Sequence, residues 1–233
     1  LWANDAEPGR VNVRVRFGAG YGAFDADSAP YATLGEGALM SAGVGQLDQD
    51  DLERIATGRK LGLGFAIEED NFVMSAETRQ SDLADQLYLF AAKLADPRWD
   101  AQPILRTRAA LALGYGSYAT SPAGVIERDL EYILRGEDPR FHAPTPAEAE
   151  TLTPEGFRKV WEPILASGPV TVEIFGDFDR AQAVADLERT FGALDQRPAM
   201  EMGPQLSSFP ETGGDPIVLT HRGDANQAAA IIA

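Results

Sequence analysis

The chain has 233 residues, 44% of them hydrophobic and 24% charged, so it suits one large domain or two small ones with a sizeable core. Thirty-six acidic residues against twenty Lys and Arg leave a formal charge of −16, which excludes a basic field for gathering nucleic acid or an acidic membrane surface. The absence of cysteine excludes disulfides, thiolate metal sites, Fe–S clusters and a Cys nucleophile, and two histidines leave little for imidazole metal chemistry.

In chain order, residues 11–17 alternate Val11, Val13, Val15 and Phe17 with Asn12, Arg14 and Arg16, the period of a half-buried strand. Gly18 to Gly22 is a turn, and 29–42 is a helix of small residues suited to tight packing. Asp48, flanked by the hydrophobic pair Leu47 and Leu52, predicts a helix from about residue 49 to about 60. Runs 61–67 and 71–79 around Glu68-Glu69-Asp70 predict a hairpin. Ser81 is the expected cap of an amphipathic helix carrying Leu83, Leu87, Phe90 and Leu94, which Asp96-Pro97 stops. A helix fits 100–115, and Ser121-Pro122 and Thr153-Pro154 each open another. Residues 170–175 read as a strand, followed by a helix capped by Asp179 that ends near Phe191-Gly192.

Beyond this the composition shifts. Residues 1–197 read as one α+β domain with a mixed, mostly antiparallel sheet packed against helices. Residues 198–216 are rich in Pro, Gly, Ser and Met without period and read as a linker. Two short strand candidates, 217–220 and 228–233, read as the start of a following, truncated domain. The chain opens at Leu1 and closes inside an apolar run, so we expect a piece of a longer protein. No apolar run reaches the roughly 18 residues of a membrane span.

Candidate chemistry is sparse. Gly18-Ala19-Gly20-Tyr21-Gly22 follows a strand but lacks the spacing of a phosphate loop, so it reads as a structural turn. Asp25, Asp27 and Ser28 lack the closing acid of a calcium loop. His142 and His221 have no partner one helical turn away, the spacing a zinc site uses. Asp177 and Asp179 stand between a strand and a helix, where turn formation and capping explain them better than a catalytic acid pair. No Gly-x-Ser-x-Gly elbow is present.

Several segments, in order, resemble one family. VRVRFGAGYG, GEGALMSAGVGQLDQDDLERI, SDLADQLYLFAAKLADPRWD, VTVEIFGDFD and TFGALDQR are similar to parts of the M16 (insulinase/pitrilysin-like) zinc metallopeptidases, and RGEDPRF looks closest to their large bacterial members. The resemblance implies the M16-like (LuxS/MPP-like) fold. It also implies that the catalytic motif is missing. An active domain of this family carries His-x-x-Glu-His, two zinc ligands and a general base, on the helix after the first strand. Aligned on Gly43, those positions fall on Leu34, Gly37 and Ala38, and Glu36 is one residue off.

The implied role is a non-catalytic, peptide-enclosing domain that forms part of a clamshell chamber wall. No catalytic or metal residue is then expected in this chain. Its expected partners are a catalytic half, in the same polypeptide or another subunit, and a peptide substrate. Zinc belongs to the parent's catalytic domain, and this chain has no cofactor of its own. The family's substrate-holding Arg and Tyr come from its last domain, so nothing here takes their place. A bacterial periplasmic or otherwise exported location is expected, and a cytoplasmic one is compatible. Two alternatives stand: an assembly module of M16 fold without a link to proteolysis, and a peptidase with an unrecognised site.

Overall fold

The alternation of Val11, Val13, Val15 and Phe17 with polar residues does produce a strand, and it lies at the centre of the sheet. The computed structural model describes residues 1–206, 209 and 216–232. In chain order the strands are β1 (Trp2–Ala3), β2 (Val11–Phe17), β3 (Gly64–Ile67), β4 (Phe72–Thr78) and β5 (Val170–Gly176). Across the sheet their order is β1-β5-β2-β4-β3. β2 pairs antiparallel with both neighbours, Val13 lying opposite Ala76 of β4 and Ile174 of β5. β3 and β4 form the expected hairpin, and β1 alone runs parallel to its neighbour. The sheet is therefore mixed and mostly antiparallel.

One face of the sheet is dry. Val11, Val13, Val15 and Phe17 are almost wholly buried, and each such side chain stabilises the fold by roughly 1.5–3 kcal/mol. The other face carries Asn12, Arg14 and Arg16 beside Glu173, with Trp2 set edge-on to Phe175 at 5.5 Å. Such one-sided burial is open to an antiparallel sheet because its faces need not both be covered.

The helices are α1 (Ala29–Ser41), α2 (Gln49–Ala56), α3 (Leu83–Ala95), α4 (Ala101–Tyr118), α5 (Pro122–Leu134), α6 (Pro146–Thr151), α7 (Pro154–Ala166) and α8 (Arg180–Arg189). None is long and apolar enough to cross a membrane. Several starts are the ones expected. Asp48 and Asp51 form a capping box on α2, Ser121 accepts from the Gly124 N–H, Thr153 from Gly156, and Asp179 from Gln182.

Other expectations are corrected. α3 is entered through a 3-10 turn, and Asp82 rather than Ser81 is its first flanking residue. Asp82 accepts hydrogen bonds from the Lys60 N–H and Arg79 Nε, which fixes it at that position. α2 stops at Ala56, short of 60, and α4 runs on to Tyr118. The described residues of the two C-terminal strand candidates, 217–220 and 228–232, form no strand; Ala233 lies outside the described residues. α6, unforeseen, is started by a capping box between Thr145 and Glu148.

The core centres on aromatic rings. Phe24, Phe65 and Phe72 gather around Trp161, with Phe72 and Trp161 at 5.3 Å and Phe24 and Trp161 at 5.4 Å, and Phe17 packs on Phe72. The glycine turn after β2 is structural, as expected. Gly20 has φ +54°, and a Cβ there would stand 2.0 Å from the Glu68 carbonyl oxygen.

Residues 198–206, at the start of the expected linker, lie across the domain. The Gly168 N–H donates to the Pro198 carbonyl and the Gly203 N–H to that of Gly22. Buried Arg140, paired with Asp138, donates to the carbonyls of Pro204 at 2.5 Å and Gln205 at 3.0 Å. Residues 207–208 and 210–215 of that expected linker lie outside the described ones.

Candidate functional site

α1 places Leu34, Gly37 and Ala38 within one helical turn, as a metal-binding triplet would require. Two of the three are packed into the core, and the third lies against a neighbouring helix. Leu34 is fully buried and Ala38 is 1% exposed. A Cβ on Gly37 would meet Thr107 Cγ2 of α4 at 2.7 Å, so that helix fills the space a longer side chain would need. None of the three residues offers a nitrogen or oxygen side-chain donor. Zinc does not fit here.

Glu36 is exposed on the same helix, yet partial burial raises its carboxyl pKa, which a hydrogen bond with the Ile67 backbone of β3 offsets in part. Its charge acts on Tyr21, whose phenol is pushed up to about 12, chiefly by burial and then by Glu36 and Glu131. Among the described residues no group of three His, Asp or Glu could hold a metal ion.

The remaining candidates are dispersed. His142 Nε2 lies 3.3 Å from Glu148 at the start of α6, and its ring stands 5.2 Å from that of Tyr132. His221 instead faces the Gln227 carbonyl at 3.0 Å and accepts from the Gly223 N–H. Asp25 accepts from the backbone and hydroxyl of Ser28, closing a turn before α1. Asp177 accepts from the Gly9 N–H, while Asp179 caps α8. The two acids are thus committed to structure and share no site.

One buried ionisable group is not among the sequence expectations. Lys93, in the last turn of α3, is 5% exposed, and burial pushes its pKa down to about 8. Its ammonium donates to the carbonyls of Leu39 at 2.9 Å and Ala42 at 2.5 Å, at the end of α1. The available signal was its spacing: Lys93 follows Leu83, Gln86 and Phe90 at helical intervals on the buried face.

No protein-family model and no curated protein matches this sequence. Solved structures do match its fold. The periplasmic protease PqqL from Escherichia coli superposes with a TM-score of 0.74 at 17% identity, over 89% of this chain and 23% of that one. A peptidase M16 inactive domain from Pseudomonas fluorescens gives 0.67 at 21% identity, over 86% of this chain and 49% of that one.

The chain has the fold of an M16 peptidase domain.

A third M16-type match is the ferredoxin protease FusC, solved with Arabidopsis ferredoxin, at TM-score 0.64 and 20% identity. It matches 86% of this chain and 22% of its own. The chain therefore spans under a quarter of the two proteases and about half of the Pseudomonas chain. The resemblance noticed in the segments from VRVRFGAGYG to TFGALDQR agrees with this fold.

Proposed function

We propose that this chain is a non-catalytic domain of an M16-type zinc metallopeptidase and forms part of the wall that encloses an unfolded peptide. The observation that carries the reading is the state of α1. The positions that the sequence resemblance assigns to the zinc motif hold Leu34 and Ala38, both buried, and Gly37, which lies against Thr107. A domain so packed contributes shape and contacts while the chemistry belongs to a catalytic half, in the same polypeptide or a partner subunit, that holds the zinc.

The neighbours support this direction. One is described as an M16 inactive domain, another as a periplasmic protease, and a third was solved with a protein bound. A periplasmic, exported parent acting on peptide or protein substrate is the corresponding proposal for this chain. The edge strand β3 and the polar sheet face offer surfaces of the kind that take up an extended peptide by adding a strand or by side-chain contacts.

The test uses the purified chain and fluorescently labelled, unfolded casein. Binding without hydrolysis is expected. Hydrolysis that a zinc chelator abolishes would contradict the proposal and place a working site in this chain.

A further inference from the structure

Lys93 is a buried cation that forms no ion pair with a carboxylate among the described residues. The two carbonyls it reaches carry only the partial negative charge of a helix C-terminus. Buried ions are ordinarily paired, because loss of hydration outweighs what neutral acceptors return. Around Lys93 the charged groups are otherwise engaged. Asp85 of α3 pairs with Arg59, Arg98 pairs with Asp100, and Glu53 of α2 accepts from Gln49. Two carbonyls take two of the three ammonium protons, and among the described residues no carboxylate forms an ion pair with the third.

Lys93 is one of the residues lining a hollow of about 400 Å³ between the end of α1, α2, the run 61–63 and α3. The wall is mostly aliphatic, with Met40, Val44, Leu47, Leu52, Ile55 and Leu63 along it, and Glu53, Arg59 and Asp85 lie in its polar part. A space of that size lies within the roughly 300–1,000 Å³ of pockets that enclose small ligands. Ile55 is 42% exposed and Tyr88 65%, so apolar surface at the hollow remains in contact with water.

We propose that this hollow binds an amphiphilic carboxylate, an unbranched apolar chain lying along the aliphatic wall with its carboxylate against the Lys93 ammonium. The headgroup supplies the missing counter-charge through a charge-assisted hydrogen bond, and the chain removes apolar wall from water. Each part alone is insufficient. An uncharged chain gains only the wall, and a short carboxylate gains only a cation already held by two carbonyls. The assignment is independent of the peptidase reading, since it uses only residues of this hollow.

Decanoate titrated calorimetrically into the 233-residue chain at neutral pH tests it. One-to-one saturable binding is expected, at least tenfold tighter than acetate or decanol. Lys93→Met keeps the apolar volume and removes the charge, and should weaken decanoate at least tenfold. Ile55→Glu sets a like charge on the accessible wall and should weaken it as much, with an unchanged circular dichroism spectrum. The absence of saturable decanoate binding to the wild-type chain overturns the proposal. Equal affinity in the Ile55→Glu chain does so too, and that comparison stands even if Lys93→Met fails to fold.

Discussion

The Trp161 indole is seated on Gly35: a Cβ at that glycine would stand 2.1 Å from Cζ2. The same indole donates its N–H to the Tyr31 carbonyl at 2.8 Å, so α7 is keyed to α1 by shape and by a hydrogen bond. Trp161 is fully buried and has no room to retreat. Gly35→Ala should therefore destabilise the chain by about 1–3 kcal/mol or more in urea unfolding. The same change in a Trp161→Phe background should cost measurably less, because the smaller ring vacates the contact. Additive effects would mean that the two residues do not share this contact.

Ala38 makes the companion case at the expected motif position. It is 1% exposed on the buried side of α1. Ala38→Leu should cost about 1–3 kcal/mol through overpacking, read as a fall in thermal midpoint. An unchanged midpoint would indicate that this face of α1 has space to spare, as a helix bordering an open cleft would.

Much of this architecture is legible in the amino-acid order because its causes are local. Asp48, Ser121, Thr153 and Asp179 each sit directly before the helix they cap. The Val11–Phe17 alternation identifies a one-sided strand without any knowledge of its partners. Thr145-Pro146-Ala147-Glu148 carried an equally local signal, but its prolines and short span disguise a helix of six residues as a loop. What stayed hidden depends on distant partners. Two residues, Trp2 and Ala3, are too few to show a period, so β1 has no signature of its own. The reason for Gly35 lies in Trp161, far along the chain, and the carbonyls that hold Lys93 are known only once α1 is placed against it.

Arg140 holds the segment after residue 197 in place. It is 7% exposed, its guanidinium forms two hydrogen bonds to Asp138, and it reaches the carbonyls of Pro204 and Gln205. Arg140→Leu should cost about 3 kcal/mol by breaking one side of a buried ion pair. It should also make residues 198–206 cleavable in limited proteolysis, where the wild-type chain resists. Equal protection in both proteins would show that the Gly168 and Gly203 backbone bonds suffice to hold the segment.

Lys93 makes stability depend on pH in a direction set by its burial. Folded, its pKa is depressed to about 8, whereas the unfolded side chain keeps its ordinary value of 10.5. Between those values the unfolded state binds more protons, so stability rises with pH. Tyr21, raised to about 12, acts in the opposite sense, but only above its ordinary value of 10. From about pH 7 to about pH 9.5 the wild-type chain should gain roughly 2 kcal/mol relative to Lys93→Met in urea unfolding. Parallel profiles for the two proteins would mean that the folded state holds the Lys93 proton as firmly as the unfolded chain does.

The account rests most heavily on the claim that this chain carries no zinc site, and the direct measurement is zinc per chain after dialysis against excess metal and then buffer. Leu34, Gly37 and Ala38 offer no side-chain donor, and His142 and His221 are engaged with Glu148 and the Gln227 carbonyl. Well under one equivalent of zinc by plasma mass spectrometry is the predicted result. One tightly retained equivalent, lost on His142→Ala or His221→Ala, would contradict it.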